Sequence, residues 1–469
     1  MVTTASGKER EHDGSRPVQA HTSRRAATLR PLATIRAFRR DPLGLFKDIA
    51  ELPDGMARTT LPGLDLTFIT HPSDVHHILQ ENHQNYNKDA LIYKNARPFL
   101  GDGLPVTPGG ADWRVRRRAV QPSFHQQHLS TITDATEHYL QPVLATWQQH
   151  ALSGEPLDVD LDMSELTMRV ACKLLFDLEV TSTTTVVRDF KRASAFAVEF
   201  LTRPFPPLFV PTRRNRAFHA AMRNINTVVA EVVSTRAADP TPRQDVLEIL
   251  TGVLGGAEPE DMTPQHLRDE LIALFFAGHE TTASTLSWCW HLLAQHPEFG
   301  DRLDEELTSV LGGRPATLAD LPDLTYTKMV VEESMRLYPV VWCGMRRALD
   351  ADVIAGHDIA AGAQLMWSPY VGNRHPDFWD APDAFRPERF DPDQHHDRPR
   401  HAVVPFGAGP RVCIGTQFAM AESCLTIATL AQHFRVTPVA DRPTEIGTDI
   451  TLHPKNGLWV LQPRGGTTS

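Results

Sequence analysis

FGAGPRVCIG, residues 406–415, sets one thiol, Cys413, among Gly407, Gly409 and Gly415 and two residues after Arg411. The apolar run that follows, through FAMAESCLTIATLAQHF, has helical spacing and predicts a helix over 414–434 with Cys413 at its start. Neither partner cysteines nor ligand-spaced histidines stand beside this thiol, which argues against a disulfide staple and a zinc knuckle. A sulfur facing the positive end of a helix dipole and its unsatisfied N–H groups is expected to have a depressed pKa and to persist as an anion. The glycines leave the backbone bare where a flat ligand would approach it. Such a loop suits a metal held in a planar macrocycle.

The rest of the chain bounds what that ligand serves. Its 469 residues are 41% apolar and 22% charged, an ordinary globular composition with length for a large core. Length alone suggests about three domains, but there is no Gly/Ser linker and no internal repeat, so one large domain fits better. The five cysteines, Cys172, Cys289, Cys343, Cys413 and Cys424, are odd in number and scattered, which predicts a reducing compartment and no disulfide framework. No run reaches the ~18 apolar residues of a spanning helix, and residues 1–30 lack the apolar core of a signal peptide. The expectation is a cytoplasmic, monomeric protein with no transmembrane anchor. Net charge is −10, yet residues 1–40 hold nine Lys/Arg against three Asp/Glu, so that arm carries +6 and the remainder −16. An acidic body excludes nucleic acid as the main partner, and the basic arm reads as a solvated, disordered tail.

Helical spacing recurs over 31–52, 73–83, 112–118, 128–152, 162–178, 185–202 and 213–237; the longest candidate runs from about His266 to Gln295, and another spans 325–338 before Pro339. LPGLDLTFITHP (61–72) alternates as a strand does, and 346–370 reads as short strands joined by glycine turns. Residues 375–393 are too rich in Pro and Asp for either, and a loop that long usually has a function.

Three further stretches carry chemistry. AGHETT, Ala277–Thr282, places a glycine, an acid and two threonines mid-helix at a cost in propensity, and a threonine hydroxyl bonding back to a carbonyl can open the helix locally for a water or dioxygen. In EESMRLYP, Glu333 and Arg336 lie three apart on one helix and can pair. In GGADWRVRRRAVQPSF (109–124), Trp113 and Arg117 are one turn apart and reach one ligand edge, with arginine suited to carboxylates. Cys172, Cys289 and Cys424 sit in apolar runs as inert buried thiols, and the His125/His128 and His395/His396 pairs lack further zinc ligands in sequence.

Phe406, Gly409, Arg411, Cys413 and Gly415 fill every fixed position of the signature Phe-x-x-Gly-x-Arg-x-Cys-x-Gly. With the other motifs in order, the chain resembles the cytochrome P450 family over roughly residues 40–462. The resemblance implies a mainly α fold: one large helix-rich domain with a small β-rich region over 31–465, between the 1–30 arm and a 466–469 tail. It implies haem b with Cys413 as iron ligand, and Phe406, Gly415, Trp113, Arg117, Arg347 and Arg411 around the cofactor, Arg347 being placed by its spacing from Asp352. Thr281 and Glu280 are implied as the residues that organise and relay protons. His279, between the glycine and the acid, stands at a variable position and receives no catalytic role. Arg389 of PERF (387–390) is implied to complete a buried network with Glu333 and Arg336.

The implied activity is insertion of one atom of O2 into a C–H bond of a lipophilic small molecule. No flavin or iron–sulfur domain follows residue 469, so electrons are expected from a separate ferredoxin and an NAD(P)H-dependent reductase. Phe276 and Ala277, with Val340, Val341 and Trp342, are the candidate pocket lining, apolar as a lipophilic substrate requires. YPVVW followed by RRAL is similar to actinobacterial terpene hydroxylases, which points to a cyclic terpenoid. Fatty acids and polyketide intermediates stay open, as does a second class: a peroxide-driven or non-oxidative haem enzyme, or a haem sensor. Arg114, Arg116 and Arg118 are left as a cationic face for an acidic electron donor.

Overall fold

The computed structural model describes residues 26–463 except 125–128, 180–182, 204, 239–240, 242–244, 256–262 and 395–397. The first 25 residues of the basic arm, the 466–469 tail and both histidine pairs lie outside the described residues. Helices dominate, and short strands form a six-stranded sheet with three smaller ones.

The helical pattern over 31–52 is two helices, Pro31–Arg40 and Pro42–Ala50. Pro42 has no N–H and pushes the residue before it out of the helical region; Asp41 is extended at φ −154° and its carboxylate accepts the Gly44 N–H at 2.9 Å, capping the second helix. The expected strand at 61–72 is the second arm of a hairpin, Met56–Leu61 with Leu64–Ile69, turned at Gly63 with φ 74°. That hairpin joins the sheet in the order Ala27–Thr28, Met56–Leu61, Leu64–Ile69, Gln364–Trp367, Gly344–Ala348, Tyr86–Asn87. Arg347 pairs with both Gln364 and Asn87, and Arg346 with Leu365.

The longest helix, Pro264–Gln295, is 32 residues and roughly 48 Å long. Thr263 accepts the His266 N–H at 3.3 Å while His266 Nδ1 accepts the Thr263 N–H, and Pro264 opens the first turn. Residues 269–276 and 282–293 are all buried, so this helix runs through the middle of the molecule. One apolar cluster holds its C-terminal half against Val159–Phe176, Thr325–Leu337 and Thr416–Ala431; a second holds its N-terminal half against Leu91–Leu100, Ala111–Val120 and Thr183–Thr202. Among the described residues no helix is long and apolar enough to cross a membrane.

Candidate haem site

The Cys413 loop is closed by its own backbone: the Cys413 N–H donates to Phe406 O at 2.9 Å across a 3₁₀ turn at Gly409–Arg411. Gly407 and Gly409 hold φ of 73° and 67°, which β-carbons resist. A Cβ on Gly409 would also lie 2.0 Å from Leu79 O, so that glycine serves packing against residues 77–81 rather than a ligand's approach. The helix itself spans Thr416–Ala431 with Gly415 as N-cap, and the Thr416 hydroxyl donates to Cys413 O at 3.0 Å.

Among the described residues Cys413 is the exposed cysteine; the other four are buried. Burial pushes Cys172 and Cys289 up to about 12, and Cys343 and Cys424 higher still. The bare Cys413 thiol is also raised, by burial, against the Gly415 N–H, Arg117, the Thr416 hydroxyl and Lys88, which favour the thiolate. The expected depression is therefore outweighed: the loop lies deep in the protein, and helix-terminus groups and cations only partly offset the loss of water. A surface both deep and open borders an internal recess.

Four cations favour an anionic occupant. Lys88, Arg117, Arg346 and Arg411 converge, and their mutual repulsion is felt most by Lys88, driven well below its usual pKa by burial and then by Arg346, Arg411 and Arg117. Burial, and then Arg346, Arg117 and Arg116, lower Arg411 to about 9. Arg411 lies over the Trp113 ring at 3.8 Å, Arg117 over the same ring at 5.8 Å, and Arg411 Nη2 donates to Thr107 O at 3.1 Å. Arg411 Nη1 is buried with no hydrogen-bond partner among the described residues. An unpaired guanidinium in a dry cationic cluster is costly, and two carboxylates would relieve it. The propionates of haem fit this donor set.

Arg347 stands elsewhere and is a correction to the sequence reading. Its Nη1 pairs with Asp89 at 2.8 Å and its side chain is 41% exposed. Neighbouring strand residues point to opposite faces, and Arg346 is the one turned inward, 7% exposed, donating to the Tyr93 hydroxyl at 3.0 Å and lying 5.5 Å from the Trp367 ring. Spacing from Asp352 points to Arg347 but carries no information on which of two adjacent arginines the strand turns inward. Lys88 was missed because nothing local marks a lysine that becomes buried; its Nζ donates to Pro105 O at 2.8 Å.

On the long helix, Ala277 is exposed and Gly278 and Thr281 are part-exposed, between stretches that are wholly buried. These residues border an opening at the centre of the fold. Thr281 Oγ1 donates to Ala277 O at 2.7 Å, which leaves its lone pairs to accept from a donor in that opening. The helix is unbroken through AGHETT, because bonding back to the fourth preceding carbonyl is compatible with helical geometry. Glu280 is 2% exposed and its Oε1 accepts from Thr451 Oγ1 at 3.0 Å.

Of the pocket candidates, Ala277 and Val341 are open, Val341 being 52% exposed. Trp342 is buried in the sheet-side cluster with Nε1 donating to Asp449 O at 2.8 Å, Val340 O accepts the Leu452 N–H at 2.8 Å, and Phe276 packs edge-on to Phe99 at 5.1 Å. Those three are buried. Arg116 is likewise no surface cation: it is 4% exposed and pairs with Glu270 at 2.6 Å, leaving Arg114 and Arg118 exposed.

Glu333 and Arg336 are both fully buried in a two-pronged pair, Nε to Oε2 and Nη2 to Oε1 at 2.7 Å each. Arg336 Nη1 also donates to Asn373 O and Pro382 O, and Nη2 to Ala384 O, so all five of its N–H groups are used. Glu333 Oε1 accepts the Arg386 N–H at 3.0 Å, and Arg389 Nε lies 3.4 Å from it while Nη2 donates to Asp380 O and Ala381 O. The irregular 375–393 segment is thus tied to one helix.

The cytochrome P450 family model matches residues 33–461. Cyclooctatin synthase of Streptomyces melanosporofaciens is 32% identical over 417 residues, covering 88% of this chain and 86% of its own length. Cyclooctat-9-en-7-ol 5-monooxygenase of the same organism is 31% identical over 431 residues, 91% of this chain and 89% of that one. Pentalenene oxygenase of Streptomyces avermitilis is 31% identical over 400 residues, 82% and 85% respectively. A helical fold with this cysteine loop and cationic recess defines a haem-thiolate protein; the chain belongs to the cytochrome P450 family. It is a monooxygenase that binds haem b, as the family does through a cysteine thiolate, and acts with O2 and redox partners on a lipophilic substrate.

Proposed function

We propose that Cys413 is the iron ligand, that Trp113, Arg117, Arg346, Arg411 and Lys88 hold the propionates, and that the enzyme hydroxylates a cyclic terpenoid with electrons from a ferredoxin and an NAD(P)H-dependent reductase. The buried, unpartnered Arg411 Nη1 among like charges carries the cofactor assignment. The relatives' names support a terpenoid. When bound, haem would supply the iron that activates oxygen, and the Cys413 thiolate would donate electron density to it. The chain supplies the rest. Phe406 O fixes the Cys413 backbone, and Ala277 and Val341 offer an apolar wall. Thr281 and Glu280 hold protons beside the opening. Turnover of a panel of cyclic terpenes, fatty acids and polyketide lactones with a generic ferredoxin and reductase tests the substrate class; turnover of the acids alone would overturn the terpenoid.

Thr281→Ala is expected to keep substrate binding and electron uptake and to divert NADH into peroxide, with product formation lower by roughly 100-fold, the low end of a general acid–base contribution. Product per NADH checks this, and a ratio equal to the parent's removes Thr281 from proton delivery.

Exchanging the two adjacent arginines discriminates the cofactor contacts. Arg346→Ala is expected to purify with depleted haem, whereas Arg347→Ala loses one half-exposed surface pair worth about 0–1 kcal/mol and keeps full occupancy. The reverse pattern in haem-to-protein ratio returns the assignment to Arg347.

A further inference from the structure

His279 is fully buried, and Phe190 and Phe276 box its ring at 5.2 and 6.5 Å. Its Nδ1 lies 2.6 Å from Phe275 O. A carbonyl only accepts, so Nδ1 carries a hydrogen. Nε2 then faces Glu280 Oε2 at 3.6 Å, and neither atom has a hydrogen-bond partner among the described residues. With a neutral ring and an ionised carboxylate, two lone pairs confront each other away from water. Every buried polar atom is normally satisfied; the 3.6 Å gap is longer than a hydrogen bond, and a proton on either atom would draw the two together and satisfy both.

We propose that His279 and Glu280 hold one proton between them, resting on His279 Nε2, and that His279 is a positioning residue that supplies it to Glu280, the acid beside Thr281. The inference rests on the reading of Glu280 as a proton relay. When the proton crosses from Nε2 to Oε2 and leaves towards an acceptor in the opening at Thr281, a neutral imidazole and a carboxylate remain, and bulk water returns the proton. Burial lowers the His279 pKa, the Glu280 carboxylate and Phe275 O raise it, and Lys191 lowers it; Lys191 and Asp449 are the further charged groups that face the pair. Lys191 is bound to Asp160 at 2.5 Å and its side chain is 28% exposed, so solvent reaches this side. Thr451 Oγ1 holds the remaining Glu280 oxygen, and Thr167 Oγ1 donates to His279 O at 3.0 Å; both anchor the pair from neighbouring elements.

The test uses the haem-loaded full chain with ¹⁵N-labelled histidine, in its reduced carbon monoxide form. Among the 22 histidines, the ring signal absent from His279→Gln is assigned to His279. The proposal expects a proton-bearing Nε2 at neutral pH in the parent and a bare lone-pair nitrogen in Glu280→Gln, whose amide donates instead. A lone-pair Nε2 in the parent overturns it. The kinetic arm follows product per NADH against pH. His279→Gln is expected to lose roughly tenfold in coupling, part of the general-acid contribution, and to move the alkaline limb of the profile; superimposable parent and variant profiles reject the proposal. If Glu280→Gln uncouples and His279→Gln does not, the inference fails and the Glu280 reading stands. If neither uncouples, both fail. Should His279→Gln not retain haem, the parent and Glu280→Gln spectra alone decide, because the ring that changes between them is that of His279.

Discussion

Cys413→Ser is expected to abolish turnover and the thiolate-type carbon monoxide spectrum together, while far-ultraviolet dichroism keeps most of its helical signal. The loop is held by main-chain geometry, the Cys413 N–H on Phe406 O and the left-handed glycines at 407 and 409, none of which needs the sulfur. The other four cysteines offer no substitute. Cys172 sits in Val159–Phe176, Cys289 in the long helix and Cys424 in Thr416–Ala431, all buried, and burial strongly disfavours the thiolate of each. Cys343 is also buried, just before the strand Gly344–Ala348, and burial alone sets its shift. Retention of the parent spectrum in the serine variant would transfer the ligand to Cys343 or Cys424.

Arg336→Ala has the second largest effect, and it falls on folding and cofactor loading rather than on chemistry. The variant leaves Glu333 charged, fully buried and deprived of both short contacts, and it frees the carbonyls of Asn373, Pro382 and Ala384. Removing one partner of a buried pair costs roughly 3 to 5 kcal/mol. The loss is concentrated on the segment that Arg386, Arg389 and the Trp379 ring join to this helix, since Arg336 lies 4.7 Å over that ring. Little haem-loaded protein and a lowered melting temperature are expected. Full haem occupancy with an unchanged melting temperature would contradict a structural role for the pair.

What could be read in the sequence follows from the range of the forces involved. Helices with an apolar stripe announce themselves by spacing, so the long helix, the Glu–Arg helix and the one after Cys413 were placed within a few residues. The hairpin partner Met56–Leu61 and the helices Leu91–Leu100, Val246–Gly255 and Pro297–Leu311 were not named, because their signals are short or mixed. At the site, the loop and AGHETT carry local signatures. The inward turn of Arg346, the burial of Lys88 and the ion pair of Arg116 with Glu270 depend on strand register and on partners as far as 154 and 253 residues away, which no local pattern encodes. The bare Cys413 pKa failed for the same reason: the helix terminus is local, whereas the burial that outweighs it comes from the whole fold. His279 receives no role from the sequence because it stands at a variable position of the motif; its unpartnered Nε2 is visible only once the atoms around it are placed.

The assignment that everything else rests on is a sulfur bond from Cys413 to iron. Iron-edge X-ray absorption of the purified, haem-loaded parent beside Cys413→Ser measures it directly. The account predicts one sulfur with the haem nitrogens in the iron's first shell of the parent, and none in the variant. A parent iron ringed by nitrogen and oxygen alone, or a sulfur that survives the substitution, would contradict it.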